Sequence, residues 1–292
     1  MSRFQKENPI LVSNLKTVKD LNLEDDFLFA KVMTDEYICK IVLEKILGID
    51  IKEVKMPEEQ KVINILAENK GIRLDIYVDD DKGTVYNIEM QKGKDTDLPR
   101  RSRYYQGNID INMITKGTRY SELRKCFVIF ICTTFDPFKQ GRHLYTFENR
   151  CNEDPNLLLG DDTTKVFLTT CGTMNDVDQE MLEFLAYIKN STEEVANHSN
   201  SQLVQEINKR VKLIKEDKRT EVEYMTLLER DEKNREEGRL EGLEEGIKEG
   251  RNEERRRLAY NLIKKGLDDE FIIETIGLTL EDVKELRNEL HI

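Results

Sequence analysis

Apolar residues recur along this chain with a helical period, then a period of two, then a helical period again, and each change marks a boundary between elements. Residues 22–33 (NLEDDFLFAKVM) carry helical spacing, with Asn22 as the expected cap and Asp25 three residues later. A second helix over 35–47 presents Ile38, Ile41, Val42 and Leu43 on its apolar side and ends at Gly48. The period then drops to two. A first strand is expected around 60–67, with Ile63, Ile65 and the nearby Val54. Residues 72–78 alternate, Ile72, Leu74, Ile76 and Val78 on one face and Arg73, Asp75 and Tyr77 on the other. Asp79, Asp80, Asp81, Lys82 and Gly83 make a turn. The return strand over 85–91 sets Tyr86, Ile88 and Met90 against Asn87, Glu89 and Gln91. Three antiparallel strands in a meander result.

Pro99 suits the first turn of a helix running to about 116 and stopped by Gly117. Residues 126–134 (CFVIFICTT) are apolar on both faces, the mark of a central strand covered on two sides. Short strands at 143–148 and 164–170 and a helix at about 175–190 complete an α/β domain, taken as residues 1–195, with a loose arm over residues 1–20. Residues 196–252 read as a charged helical linker. There Gly238, Gly242, Gly246 and Gly250 recur every fourth residue. Four helical residues advance about 400°, so these glycines form a slowly turning stripe, each costing about 1 kcal/mol relative to Ala. Close helix–helix approach in an oligomer is the competing reading, with Leu240, Leu243 and Ile247 as the large apolar residues available. The last segment, 253–292, patterns as a small module of three short helices (253–265, 268–275 and 280–290) broken at Gly266 and Gly277. Its cadence is that of a helix-turn-helix, but Glu281, Asp282 and Glu285 on the final helix suit phosphate poorly, which favours docking or self-association.

Composition narrows the classes. With 292 residues, 38% of them hydrophobic, the chain can bury one or two cores. No run approaches the roughly 20 apolar residues of a membrane helix, and the opening MSRFQKENPILVSNLK lacks the apolar block of a signal peptide, so a cytoplasmic protein is expected. Cys39, Cys126, Cys132, Cys151 and Cys171 form no CxxC pair and read as reduced thiols, mostly buried. His143, His198 and His291 are too scattered for a zinc site and read as surface or loop residues. A net charge of -12 excludes a general basic coat for nucleic acid. Locally the balance reverses: within 97–125, seven Lys and Arg face three Asp and Glu, a net of +4.

The chemistry concentrates just before that basic segment. Asp75 and Glu89 fall on the same side of neighbouring strands, where cross-strand Cβ atoms sit about 4.5–5.5 Å apart. Two carboxylates so close repel, and one pKa rises, unless a cation lies between them. Mg²⁺ takes one or two carboxylates and fills its remaining positions with water and substrate phosphate. An acid pair on strands is more often a solvated face. Here the strands are well patterned, and Arg100, Arg101 and Arg103 follow at once on a helix, then a buried strand.

These segments resemble a known family. GIRLDIYVDD…YNIEMQKG is similar to the D…(D/E)-x-(K/Q) core of the PD-(D/E)xK nucleases. DDFLFAKVM, DLPRRSRYYQGNIDINMITKGTRYSEL and CFVIFICTTFDPF look like its recombination-promoting nuclease or transposase branch, over roughly residues 20–150. The resemblance implies a restriction-endonuclease-like αβββαβ core with a mixed sheet. It implies a Mg²⁺-dependent DNA endonuclease, with Mn²⁺ as substitute, linked to recombination or to defence against mobile elements and phage. Asp75 and Glu89 would be the metal ligands with the Met90 carbonyl, and Gln91 would stand where many members have lysine. Gln can orient water but lends no charge. Lys92 and Lys94 fall on the opposite face, so a cation would come from Arg100, Arg101 or Arg103, which with Gln106 are the expected DNA contacts. Asp26 matches the acid of the family's opening motif and would be a further catalytic residue, though it equally suits a helix N-terminus; Glu44 is a weaker candidate acid. Tyr104 and Tyr105 are expected in the core. Partners would be DNA and a second copy, in a dimer through the C-terminal helices. A nuclease-like adaptor that binds DNA or protein without cutting is the alternative reading. A strand-transferring transposase needs three spaced acids, and no third acid with matching context is evident.

Overall fold

The computed structural model describes residues 16–63, 72–94, 96–114 and 116–290, with the side chains of 56–63 and 72–74 outside the description. The expected arm up to residue 15, Ile65, and the facing of Ile63, Ile72, Arg73 and Leu74 therefore lie outside it. Helices α1 (Asp26–Met33) and α2 (Glu36–Leu47) come first. Asn22 is not the cap of α1: its N–H donates to Asp25 Oδ2 (2.8 Å), and Asp25 holds the N-cap position. The start of α2 is closed by Asp35, which accepts from the Ile38 N–H at 3.2 Å, and its end by Gly48 at φ 64°. Only a residue tolerating the left-handed region ends a helix so tightly.

Strands β1 (Val54–Ile63), β2 (Ile72–Asp80) and β3 (Val85–Gln91) form the expected antiparallel meander, with β1 starting earlier than its apolar residues suggested. Helix α3 (Leu98–Met113) follows, with Pro99 in its first turn, and then β4 (Cys126–Cys132), every residue of which is buried. Strands β5 (Leu144–Phe147) and β6 (Thr163–Thr169) complete one six-stranded sheet in the order β1-β2-β3-β4-β6-β5. β3, β4 and β6 run parallel, while β1, β2 and β5 pair antiparallel with their neighbours. The mixed sheet is the expected restriction-endonuclease-like arrangement.

Alternation along β4 gives the sheet two apolar faces. Cys126, Val128, Phe130 and Cys132 pack with Tyr77 of β2, Phe167 of β6 and Leu98, Tyr105 and Ile109 of α3. The face of β2 and β3 that looked polar in the sequence is thus the one covered by α3. On the other face Tyr86 stacks on Phe127, ring centroids 5.4 Å apart.

The first compact unit extends through Tyr224, past the expected boundary at 195. Helices α4 (Gln179–Lys189), α5 (Glu193–His198) and α6 (Gln202–Glu216) belong to it. α6 is not linker: it buries Leu203, Val204, Ile207, Val211 and Ile214 and packs on α1, α2, α4 and α5. Burying four or five such side chains at about 1.5–3 kcal/mol each outweighs its many charges.

The second unit begins at Met225. Helix α7 (Lys218–Lys264) takes in all four glycines of the repeat, so the expected separate helix at 253–265 is its last part. Residues 229–255 are exposed throughout, and a Cβ on any of the four glycines would meet nothing within 4 Å. Helices α8 (Asp269–Ile276) and α9 (Leu280–Leu290) fold back on its end through Ala259, Ile263, Ile272, Val283 and Leu286. Among the described residues, no helix is long and apolar enough to cross a membrane.

Candidate active site

The site forms where the β2–β3 ladder stops. Main-chain pairing runs from Asp79↔Val85 to Ile76↔Ile88, and one step further the register sets Asp75 opposite Glu89. At that step side chains replace ladder bonds. The Asp75 N–H donates to Glu89 Oε1 (3.1 Å), and the Met90 N–H donates to Asp75 Oδ2 (3.0 Å). Each carboxylate thus accepts a main-chain donor of the other strand, which offsets part of the cost of an interrupted ladder. The acid pair expected from the alternation is brought together.

Met90 points its main-chain edge at the same place. Gln91 gives its carbonyl to the Thr133 N–H beyond β4 (3.0 Å), and successive residues of a strand turn their main-chain groups to opposite edges. The Met90 carbonyl therefore faces β2, as its N–H does.

Glu89 is buried, 1% exposed. Burial pushes its pKa up to about 8, and the charge of Asp75 adds to the rise; the Asp75 N–H and Arg101 oppose it. Arg101 is the one arginine of the three whose contacts reach this pair. Its Nη2 is 3.3 Å from Glu89 Oε2, its Nη1 donates to Gln91 Oε1 (2.9 Å), and its Nε donates to the Tyr105 hydroxyl (3.0 Å). The guanidinium carbon lies 5.1 Å from the Tyr105 ring centroid and 5.3 Å from that of Phe130. All three guanidinium nitrogens are used, and two aromatic faces fix the plane.

The other expected residues are placed differently. Arg100 and Arg103 are exposed on α3, and Arg100 pairs with Asp97 at 3.1 Å. Gln106 is buried, 6% exposed, with its amide on Asp110 Oδ1 (2.8 Å), so it does not offer itself to a phosphate in this conformation. Tyr105 is in the core as expected, but Tyr104 is 41% exposed. Lys92 does turn away from Gln91's side: its ammonium lies 3.0 Å from both Glu24 Oε1 and Asp25 Oδ1. Asp26 opens α1 directly after Asp25, so the start of α1 is tethered to the residue following Gln91. Glu44 accepts the Ile51 N–H at 2.9 Å, a role in the α2–β1 connection. His143 is buried rather than at the surface, its Nδ1 2.8 Å from Asp176 Oδ1. The five cysteines are free, three of them buried.

Arg101 was among the candidates, but its partners were missed in the sequence. The Arg101–Tyr105 pair had a signal, since residues four apart share a helix face. Phe130 and the Glu24–Asp25–Lys92 clip had none, because only the folded sheet brings them near.

The donor set suits a hard divalent cation. Among the described residues, no group of three or more His, Cys, Asp and Glu converges, so the candidate ligands are the two acids and a carbonyl. Arg101 sets one positive charge beside two carboxyl groups, and burial raises the pKa of one of them, Glu89. An all-oxygen donor set suits Mg²⁺ or Mn²⁺ and not a structural zinc.

A sequence model of the PD-(D/E)XK nuclease family transposases matches residues 23–275 of the chain. No curated protein and no solved structure matches it.

Proposed function

We propose that this chain, which belongs to the PD-(D/E)XK nuclease family transposases, is a metal-dependent DNA endonuclease. Family membership carries a nuclease or transposase-like function. The observation that supports cutting by this chain is the acid pair at the end of the β2–β3 ladder, Asp75 and Glu89 exchanging main-chain bonds with Arg101 alongside. Asp75, Glu89 and the Met90 carbonyl would hold Mg²⁺, or Mn²⁺ in its place. Bound there, the ion supplies positive charge against the charge that builds on the scissile phosphate.

The chain's own residues do the rest. Gln91 sits two positions beyond Glu89 on the same side of β3; its carboxamide accepts from Arg101 and donates to the Gly93 carbonyl, and it would orient water, without adding charge, by exchanging one of these bonds. Arg100 and Arg103 project from α3 toward solvent and suit DNA phosphates, contacts that position a duplex and carry no sequence information. The tilted pair of Tyr105 on α3 and Phe130 on β4 lines the α3 side of the site with aromatic surface. A role for Asp26 as an accessory acid rests on the family resemblance of its motif alone. A role in recombination or in defence against mobile elements and phage rests on the family alone.

A second reading, a nuclease-like adaptor that holds DNA or a protein partner and self-associates through its C-terminal helices, draws on one observation. Gln91 replaces the usual lysine, and its Oε1 is already engaged by Arg101. Incubating the full chain with supercoiled plasmid separates the two. The endonuclease converts it to open circles with Mg²⁺ or Mn²⁺ and stops with EDTA; the adaptor binds without turnover under any metal.

A further inference from the structure

The arginine beside the acid pair is more than a neighbour. Its guanidinium is held from three sides: by Glu89 Oε2 and Gln91 Oε1 at its tips, and by the Tyr105 hydroxyl at Nε. Its plane lies against the rings of Tyr105 and Phe130, which are themselves tilted together at 6.0 Å. A cation so fixed cannot follow the solvent. It stands on the outer oxygen of a carboxylate whose inner oxygen accepts the Asp75 N–H. The Arg101 side chain is 31% exposed beside the buried Glu89.

We infer that Arg101 is the resident counter-charge of the acid pair: it holds Glu89 and Gln91 in place in the metal-free protein and thereby competes with the divalent cation it prepares the site for. Two positive groups on one carboxylate repel each other at short range, and the low-dielectric wall of Tyr105 and Phe130 screens that repulsion little. Arg101 is thus a positioning residue, acting through Glu89 and Gln91. The inference rests on the proposed metal site, and its test reads metal binding and folding separately from cutting.

Arg101→Met keeps an unbranched stem against Tyr105 and Phe130 and removes the charge; Arg101→Lys keeps the charge and loses the three-sided hold. Mn²⁺ binding to the full chain is measured by titration calorimetry, and melting temperature with EDTA and with saturating Mn²⁺. The expected result is that Arg101→Met binds Mn²⁺ about tenfold more tightly than the parent and melts lower in EDTA. Saturating Mn²⁺ then narrows the gap in melting temperature. Arg101→Lys stays within about threefold of the parent in affinity. Should Arg101→Met fold only when Mn²⁺ is present, the same conclusion holds. Equal or weaker Mn²⁺ binding by Arg101→Met, or a failure to fold with and without metal, overturns the inference. A parent protein that binds Mn²⁺ but cuts no DNA defeats the endonuclease reading alone, and the affinity comparison still decides Arg101. Mn²⁺ binding unaffected by Asp75→Ala places the ion elsewhere and overturns both.

Discussion

Asp75 and Glu89 are bound to each other's strand: the Asp75 N–H donates to a Glu89 carboxylate oxygen, and Asp75 accepts the N–H of the residue after Glu89. The ladder is exchanged for side-chain bonds where these two acids meet. That exchange holds the two acids together with Arg101 alongside, and burial and Asp75 raise the pKa of Glu89.

The first consequence concerns pH. Glu89 titrates near its ordinary 4.5 in the unfolded chain and at about 8 in the folded one, raised by burial and then by Asp75. Between those values the folded protein holds the extra proton. The stabilisation is complete below about 4.5 and is lost as pH rises through about 8. Denaturant unfolding in EDTA should show the parent losing stability relative to Glu89→Gln over this window, by an amount on the order of a few kcal/mol. A constant difference between the two across pH 5–9 would contradict the burial of a titrating Glu89.

Lys92 should be dispensable for cutting. Its ammonium is committed to Glu24 and Asp25, on the side away from Gln91. The side chain is 43% exposed, so Lys92→Ala is expected to cost no more than about 1 kcal/mol of stability. Plasmid nicking by Lys92→Ala should stay within about threefold of the parent. A loss of activity much larger than the loss of stability would make Lys92 the missing catalytic cation.

Gly172 should accept no side chain. A Cβ there would lie 2.4 Å from the His143 ring, and that ring is fixed by Asp176 on Nδ1. Gly172→Ala is expected to lower stability by about 1–3 kcal/mol, read by thermal or denaturant melting. Gly238→Ala, at a position with nothing within 4 Å inside α7, should instead be neutral or stabilising by up to about 1 kcal/mol.

Much of this was legible in the chain because it rests on local periodicity. The alternation in 72–91 put Asp75, Glu89 and Gln91 on one side, and the unbroken apolar run of β4 announced a strand covered on both faces. What stayed hidden depended on distant residues. The side of β2 and β3 bearing Tyr77, Asn87 and Glu89 looked solvated, yet α3 covers it, since helix packing has no signature in the strands themselves. α6 looked like linker because its charged and other polar residues together outnumber its apolar ones, although Leu203, Ile207 and Val211 lie on one stripe. Which of three consecutive-looking arginines reaches the acids was fixed only by the aromatic pair Tyr105 and Phe130, one of them on another element.

The central claim is that Asp75 and Glu89 together form a metal site that cuts DNA. The most direct measurement is nicking of supercoiled plasmid by the purified full chain in Mg²⁺ or Mn²⁺, beside Asp75→Ala and Glu89→Ala confirmed as folded. The parent should nick, and each variant should lose activity by on the order of 100-fold or more. Cutting by both variants at the parent's rate would contradict the site.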